Sequence, residues 1–195
     1  MRLGEIGDLM VLTLRDPALA VQAMRRVDPP VPARWMVLAL AVCFSTLLAG
    51  LARVIFPLSG GDPLSQILSR PWALAAVQFA ALVISAGAVT VIGRAFGGKG
   101  RFDEALLLIA WVELILVGLQ AVQLLFLLVF PASGSIMSML AFALSIYLTV
   151  SLTKALHGFR STPKVALGFI GGIFVVGFLL SILAAAFGIL PEVTP

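Results

Sequence analysis

The chain has 195 residues, of which 61% are hydrophobic and only 11% charged, and its mean hydropathy is +1.14. A soluble domain of that composition would expose far too much apolar surface, which excludes one. The net charge of +4 does not mark nucleic-acid binding, because the basic residues lie at the ends of apolar segments, where Lys and Arg anchor membrane helices.

The first thirty-four residues are not a signal peptide: Glu5, Asp8 and Asp16 interrupt any apolar core, and the first long apolar run starts too late. Leu3, Ile6, Met10 and Leu14 recur at helical spacing instead. Asp16-Pro17 restarts a helix with Leu19, Ala20, Ala23 and Met24 on one face, and Arg25 and Arg26 end it. Residues 1–34 thus read as an amphipathic arm. It lies on the inner leaflet or packs on the bundle as a cytoplasmic cap. A rigid Asp28-Pro29-Pro30-Val31-Pro32 linker leads out of it.

Five apolar segments follow, at 35–56, 72–92, 105–130, 136–156 and 165–190, each near the roughly 20 residues a membrane helix needs. Turn chemistry fills the gaps. Asp62-Pro63 and Arg70-Pro71 place proline at first helical positions, Gly97, Gly98 and Gly100 open a loop, residues 131–135 make a tight hairpin, and Thr162-Pro163 starts the last helix. The expected fold is all-α: a polytopic membrane protein with a bundle of five transmembrane helices over 35–195 and the N-terminal amphipathic arm.

Charge sets the orientation. The arm, the 93–104 gap and the 154–164 gap hold eleven of the thirteen basic residues, and they alternate along the chain, so they share one side. Cytoplasmic loops carry that excess, which puts the N-terminus in the cytoplasm and the C-terminus outside.

Glu113 lies about 12 Å into the third span at 1.5 Å per residue. Buried acids are costly in a membrane and face protein or water. It is either a proton or cation site, or a neutral acid that hydrogen-bonds between helices. Arg53, Gln78, Gln120 and Gln123 sit toward the outer half, and Gln120 and Gln123 share a helix face. They read as a polar cluster closing the outer side, or as a solute pathway. Gly168 and Gly172 form a G-x-x-x-G, which lets another helix approach closely.

The basic glycine turn Phe96-Gly97-Gly98-Lys99-Gly100-Arg101-Phe102 lacks the spacing of a phosphate loop and has no strand before it. Cys43 alone gives no internal disulfide. His157 alone, with no cysteine partner, gives no metal site, and no cofactor is expected.

Several motifs together resemble the Yip family of membrane proteins. They are Leu14-Arg15-Asp16-Pro17 in the arm, the glycine turn with Ala105-Leu106-Leu107 and Trp111 after it, and His157-Gly158-Phe159 after the fourth span. The resemblance implies five spans, a cytoplasmic N-terminus, no enzymatic activity, and a role in membrane organisation or trafficking. The arm is short and has no long acidic or proline-rich cytosolic domain, unlike the eukaryotic relatives. Length and Ala/Gly-rich spans suit a bacterial inner (cytoplasmic) membrane with a periplasmic C-terminus. The expected partners are the lipid bilayer and another membrane protein of unknown identity. Nucleic acid is not expected, and a homo-oligomer is compatible with the pattern. The rival reading is a small permease or ion or proton pathway using Glu113, Gln120 and Gln123.

Overall fold

Proline and acidic caps at the helix starts, and left-handed residues at the stops, divide the chain into helices. The computed structural model describes residues 3–56, 70–130 and 133–186. Among them are α1 (Leu3–Arg15), α2 (Pro17–Val27), α3 (Val31–Ile55), α4 (Pro71–Ala95), α5 (Phe102–Val129), α6 (Gly134–His157) and α7 (Thr162–Ala186). The expected Asp62-Pro63 turn, Pro131 and Ala132 of the hairpin, and the chain beyond residue 186 lie outside the described residues.

The joints have local causes. Asp16 caps α2 by accepting the Ala18 and Leu19 N–H groups at 3.0 Å each, with Pro17 at the first position, where no N–H is needed. Asp28 ends α2 in a left-handed conformation. Pro32 falls in the first turn of α3, so that helix begins at Val31 rather than at 35. α5 also begins earlier than the apolar run, at Phe102. Asp103 and Glu104 belong to its first turn, where the helix dipole favours negative charge.

Helices α3, α4, α5 and α6 are long and apolar enough to cross a membrane. Their 25, 25, 28 and 24 residues exceed what the hydrocarbon layer requires. α7 carries an apolar stretch over Val165–Leu179 and is not one of these four.

α5 is the axis of the bundle and packs against α3, α4 and α6, while α7 packs on α4 and α6. The core gathers on the first half of α5, around Leu106, Ile109, Trp111 and Ile115, with Leu38 of α3, Ala86 of α4, and Leu148 and Leu152 of α6. Within a bilayer, apolar burial drives helices together only weakly, so close packing and hydrogen bonds decide the arrangement.

The arm is packed against this core. Ala20, Val21 and Met24 of α2 are buried, and α2 lies along α6. The fully buried Thr13 of α1 accepts the indole N–H of Trp111 at 2.9 Å. Ala20 and Met24 of the arm thus face protein, while Leu14 and Leu19 of the same apolar stripe are exposed.

Candidate functional site

The chain's one histidine sits where two turns meet. Gly97 adopts a left-handed conformation, φ 83°, and closes α4; its successor Gly98 donates its N–H to the Gly93 carbonyl at 2.9 Å. Gly158, φ 72°, closes α6 in the same way, and Phe159 donates to the Lys154 carbonyl at 3.0 Å. Glycine suits both positions because a Cβ disfavours that backbone.

These turns press the His157 ring among Gly93, Gly98 and Gly100. A Cβ on Gly93 or Gly98 would collide with the imidazole, and one on Gly100 would come within 2.7 Å of Cε1. Both ring nitrogens are occupied. Gly100 donates its N–H to Nδ1 at 3.1 Å, and Nε2 stands 3.1 Å from the Val89 carbonyl. A carbonyl only accepts, so Nε2 carries the hydrogen and Nδ1 accepts. Phe159 stacks on the ring with centroids 5.4 Å apart. The buried imidazole is thus a plug that ties α4, the glycine turn and α6 together.

Around this plug lies a frame of ions. Arg34 is buried and donates to Asp28 at 2.6 Å, to Asp103 at 2.8 Å and to the Pro29 carbonyl at 2.8 Å. Arg25 reaches Glu104 at 3.0 Å and the Leu156 carbonyl at 2.9 Å. Glu104 also accepts the Arg101 N–H at 3.1 Å, which caps α5. Together these bonds fasten the arm, α3, α5 and α6.

Deeper in the bundle, Gln78 of α4 donates to Glu113 at 2.7 Å and to Ser45 of α3 at 2.8 Å. Ser45 stands 3.4 Å from Gln120 of α5. Three helices therefore share a polar chain that runs from Glu113 to Gln120. Gln123 does not join it; it donates to Ser138 of α6 at 3.0 Å. Arg53, partly exposed and about two turns beyond Ser45 on α3, takes no part in the bonds joining Ser45, Gln78 and Glu113. Of the four residues expected toward the outer half, Gln78 and Gln120 thus meet through Ser45, on a chain that also reaches Glu113.

On its other side Glu113 borders a cavity of about 540 Å³ between α4, α5, α6 and α7. Gly168 and Gly172 of α7 face Ile92 of α4, so their small surface serves contact within this chain. Among the described residues no cluster of His, Cys, Asp and Glu could hold a metal ion.

Sequence reasoning singled out the glycine turn and His157 but not Gly93, which lies four residues before Gly97 on the same helix and completes the cage. It also passed over Arg34 as one more anchoring cation. Its position between Pro32 and the acidic start of α5 carried no signal that it would be buried.

No curated protein and no solved structure matches the chain. A family model, that of the Yip1 domain, matches residues 11–186. That span runs from the helix carrying Thr13 through both turns that enclose His157 to the end of α7, and so the chain belongs to the Yip1 family of membrane proteins.

Proposed function

We propose that this chain is a non-enzymatic organising or interaction component of its membrane, alone or within a larger complex. It crosses five times, with its N-terminus in the cytoplasm and its C-terminus in the periplasm of a bacterial inner membrane. The observation that supports this most is the use made of its reactive side chains. His157 commits both ring nitrogens to backbone groups, and Glu113 is tied to the helix-bridging Gln78. Groups that serve as acids, bases or ligands elsewhere hold helices together here.

The basic residues support the orientation, and Arg26, Lys99 and Arg160 stand exposed at the end of the bundle that carries the glycine turn. Such a face suits anionic headgroups or an acidic partner. The test is cross-linking in native membranes followed by purification in mild detergent. A discrete partner chain is expected with the wild type. It is lost with Arg26→Glu, Lys99→Glu and Arg160→Glu combined, at unchanged thermal stability. A chain that stays alone in both forms overturns the reading.

Topology is read separately, with Lys99→Cys, Ser133→Cys and Ser161→Cys each in a Cys43→Ala background. Only Ser133→Cys should react with an impermeant thiol reagent in intact cells. Labelling at Lys99→Cys reverses the orientation.

The cavity at Glu113 favours a second reading, a small permease or proton pathway. Proton uptake into proteoliposomes that is lost in Glu113→Gln and kept in Glu113→Asp would move that reading ahead.

A further inference from the structure

Three polar groups of the cavity between α4, α5, α6 and α7 share one level. Measured along the helices from the end with the glycine turn, Ser85 of α4, Glu113 of α5 and Ser145 of α6 lie about 15, 16 and 18 Å deep, at 1.5 Å per residue. All three line the cavity. Thr149 and Thr153 follow on α6, one and two turns nearer the surface. Apolar walls stand on both sides of the level of Glu113. Ile92, Phe96, Phe159 and Val165 line the shallow end, and Leu82, Leu116 and Gly177 line the deep end.

The level of Glu113 is rich in acceptors. A carboxylate has about four acceptor sites, and Gln78 fills one of them at 2.7 Å. Ser85 gives its hydroxyl hydrogen to the Ala81 carbonyl at 2.7 Å, so toward a ligand its oxygen can only accept. A molecule that matches this level therefore brings donors. Charge narrows the class further. A buried carboxylate is costly without a partner charge, and a group that brings both hydrogens and positive charge is an amine. An amine and the Glu113 carboxyl together carry no net charge, whichever of the two holds the proton. Such a pair is compatible with apolar walls. A bare metal cation would need oxygen ligands on several sides, and most of this lining is hydrocarbon. Lys164, two residues into α7, stands more than two helical turns nearer the surface than Glu113. The volume of about 540 Å³ suits one organic ligand of modest size, and a mostly apolar wall with a few polar groups is the usual form of such a site.

We infer that this cavity binds a lipophilic amine, a molecule with one basic nitrogen on an apolar body and no other charge. The nitrogen donates to Glu113 and Ser85, and the body lies against Leu116 and Ile173. The inference deepens the second reading above, since it rests on the same site at Glu113, but it requires binding there and not passage.

The test uses the purified full-length chain in phosphatidylcholine nanodiscs, whose headgroups carry no N–H donor. The probe is tritiated phenylbutylamine, with binding to empty nanodiscs subtracted. Binding should saturate at one amine per chain. Phenylbutanol, which has the same body and no basic nitrogen, should compete roughly ten-fold more weakly or worse, the equivalent of a hydrogen bond to a charged group. Glu113→Gln keeps the shape of the side chain and should weaken amine binding by a similar factor, at an unchanged melting temperature. Ser85→Ala should weaken it by roughly two- to ten-fold. If Glu113→Gln does not fold, Ser85→Ala and the alcohol comparison on the wild type decide. Equal competition by the alcohol overturns the inference, and so does amine binding that ignores both substitutions. Proton uptake into proteoliposomes separates the two claims. Amine binding with no Glu113-dependent uptake upholds the site and ends the permease reading. Glu113-dependent uptake with no saturable amine binding keeps that reading and overturns the inference.

Discussion

At the end of the bundle where α4 turns into α5 and α6 into α7, polar bonds cross between nearly all the elements. His157 joins α4 to α6, Arg34 joins the α2–α3 link to α5, and Arg25 joins α2 to α5 and α6. At the opposite end α5 finishes in Leu125, Phe126, Leu128, Val129 and Phe130, all exposed. Among the described residues, a bond from Gln123 to Ser138 ties α5 to α6 there. The first end is a lock of interdependent groups. The second offers apolar surface to lipid or to another protein. The glycine turn and His157-Gly158-Phe159, two of the motifs that resemble the Yip family, fall at the lock.

The largest effect that would break this contrast is expected at Arg34. Arg34→Met removes a buried guanidinium that bonds Asp28, Asp103 and the Pro29 carbonyl, leaves Asp103 only the exposed Arg101 at 3.1 Å, and should cost about 3 kcal/mol. Asp28→Ala, at the exposed side of the same guanidinium, should cost under about 1 kcal/mol. Thermal unfolding in nanodiscs measures both. Similar losses for the two would deny Arg34 its central place.

Overpacking of the plug comes next. Gly98→Leu drives a side chain into the His157 ring and should cost about 2 to 3 kcal/mol. At Gly118, on α5 beyond Glu113, a Cβ meets nothing, and Gly118→Ala should shift stability by less than about 0.5 kcal/mol. A comparable loss at both glycines would mean that the two ends are equally tight.

His157→Phe keeps a ring in the cage but strands the Gly100 N–H and removes the imidazole's bond to the Val89 carbonyl, for about 2 kcal/mol. Hydrogen exchange at the Gly100 amide should rise with it. If exchange there stays slow, the ring's hydrogen bonds are not what holds the turn.

Thr13→Val removes the acceptor of the Trp111 N–H and should cost about 1 kcal/mol, with faster proteolysis of α1. Protease resistance unchanged from the wild type would free the arm from the bundle.

The smallest effect is expected at the loose end. Gln123→Leu gives up one interhelical bond, worth about 0.6 kcal/mol within a membrane. A loss as large as that of His157→Phe would erase the difference between the ends.

Much of the local structure was legible in the residues themselves. Apolar length marked the helices, Asp16-Pro17 and Arg70-Pro71 marked their starts, and Gly97 marked the loop after α4. Each of these depends on backbone preference or on hydrophobic run, which a short window of sequence contains. What the residues of the glycine turn are for was not legible. Gly98 and Gly100 are small because of a ring that lies 57 residues and more away in the chain, and Gly93 belongs with them for the same reason.

The arm shows the same limit. Its apolar stripe suits a lipid surface or a protein surface equally, and only the fold shows that Thr13 meets Trp111, 98 residues away, while Leu14 and Leu19 stay exposed. Gln120 and Gln123 share a broad face, but three residues set them about 60° apart on a helix of 100° per residue. Ser45 stands on one side of that face and Ser138 on the other, so the pair divides between two neighbours. By itself the sequence determined several helix boundaries to within a few residues and the apolar segments of α3, α4, α5 and α6, because those follow from local propensity and transfer energy. Only the tertiary structure decided which glycines enclose the histidine, which cation is buried, and that Glu113 faces a cavity, because each depends on which helix stands opposite.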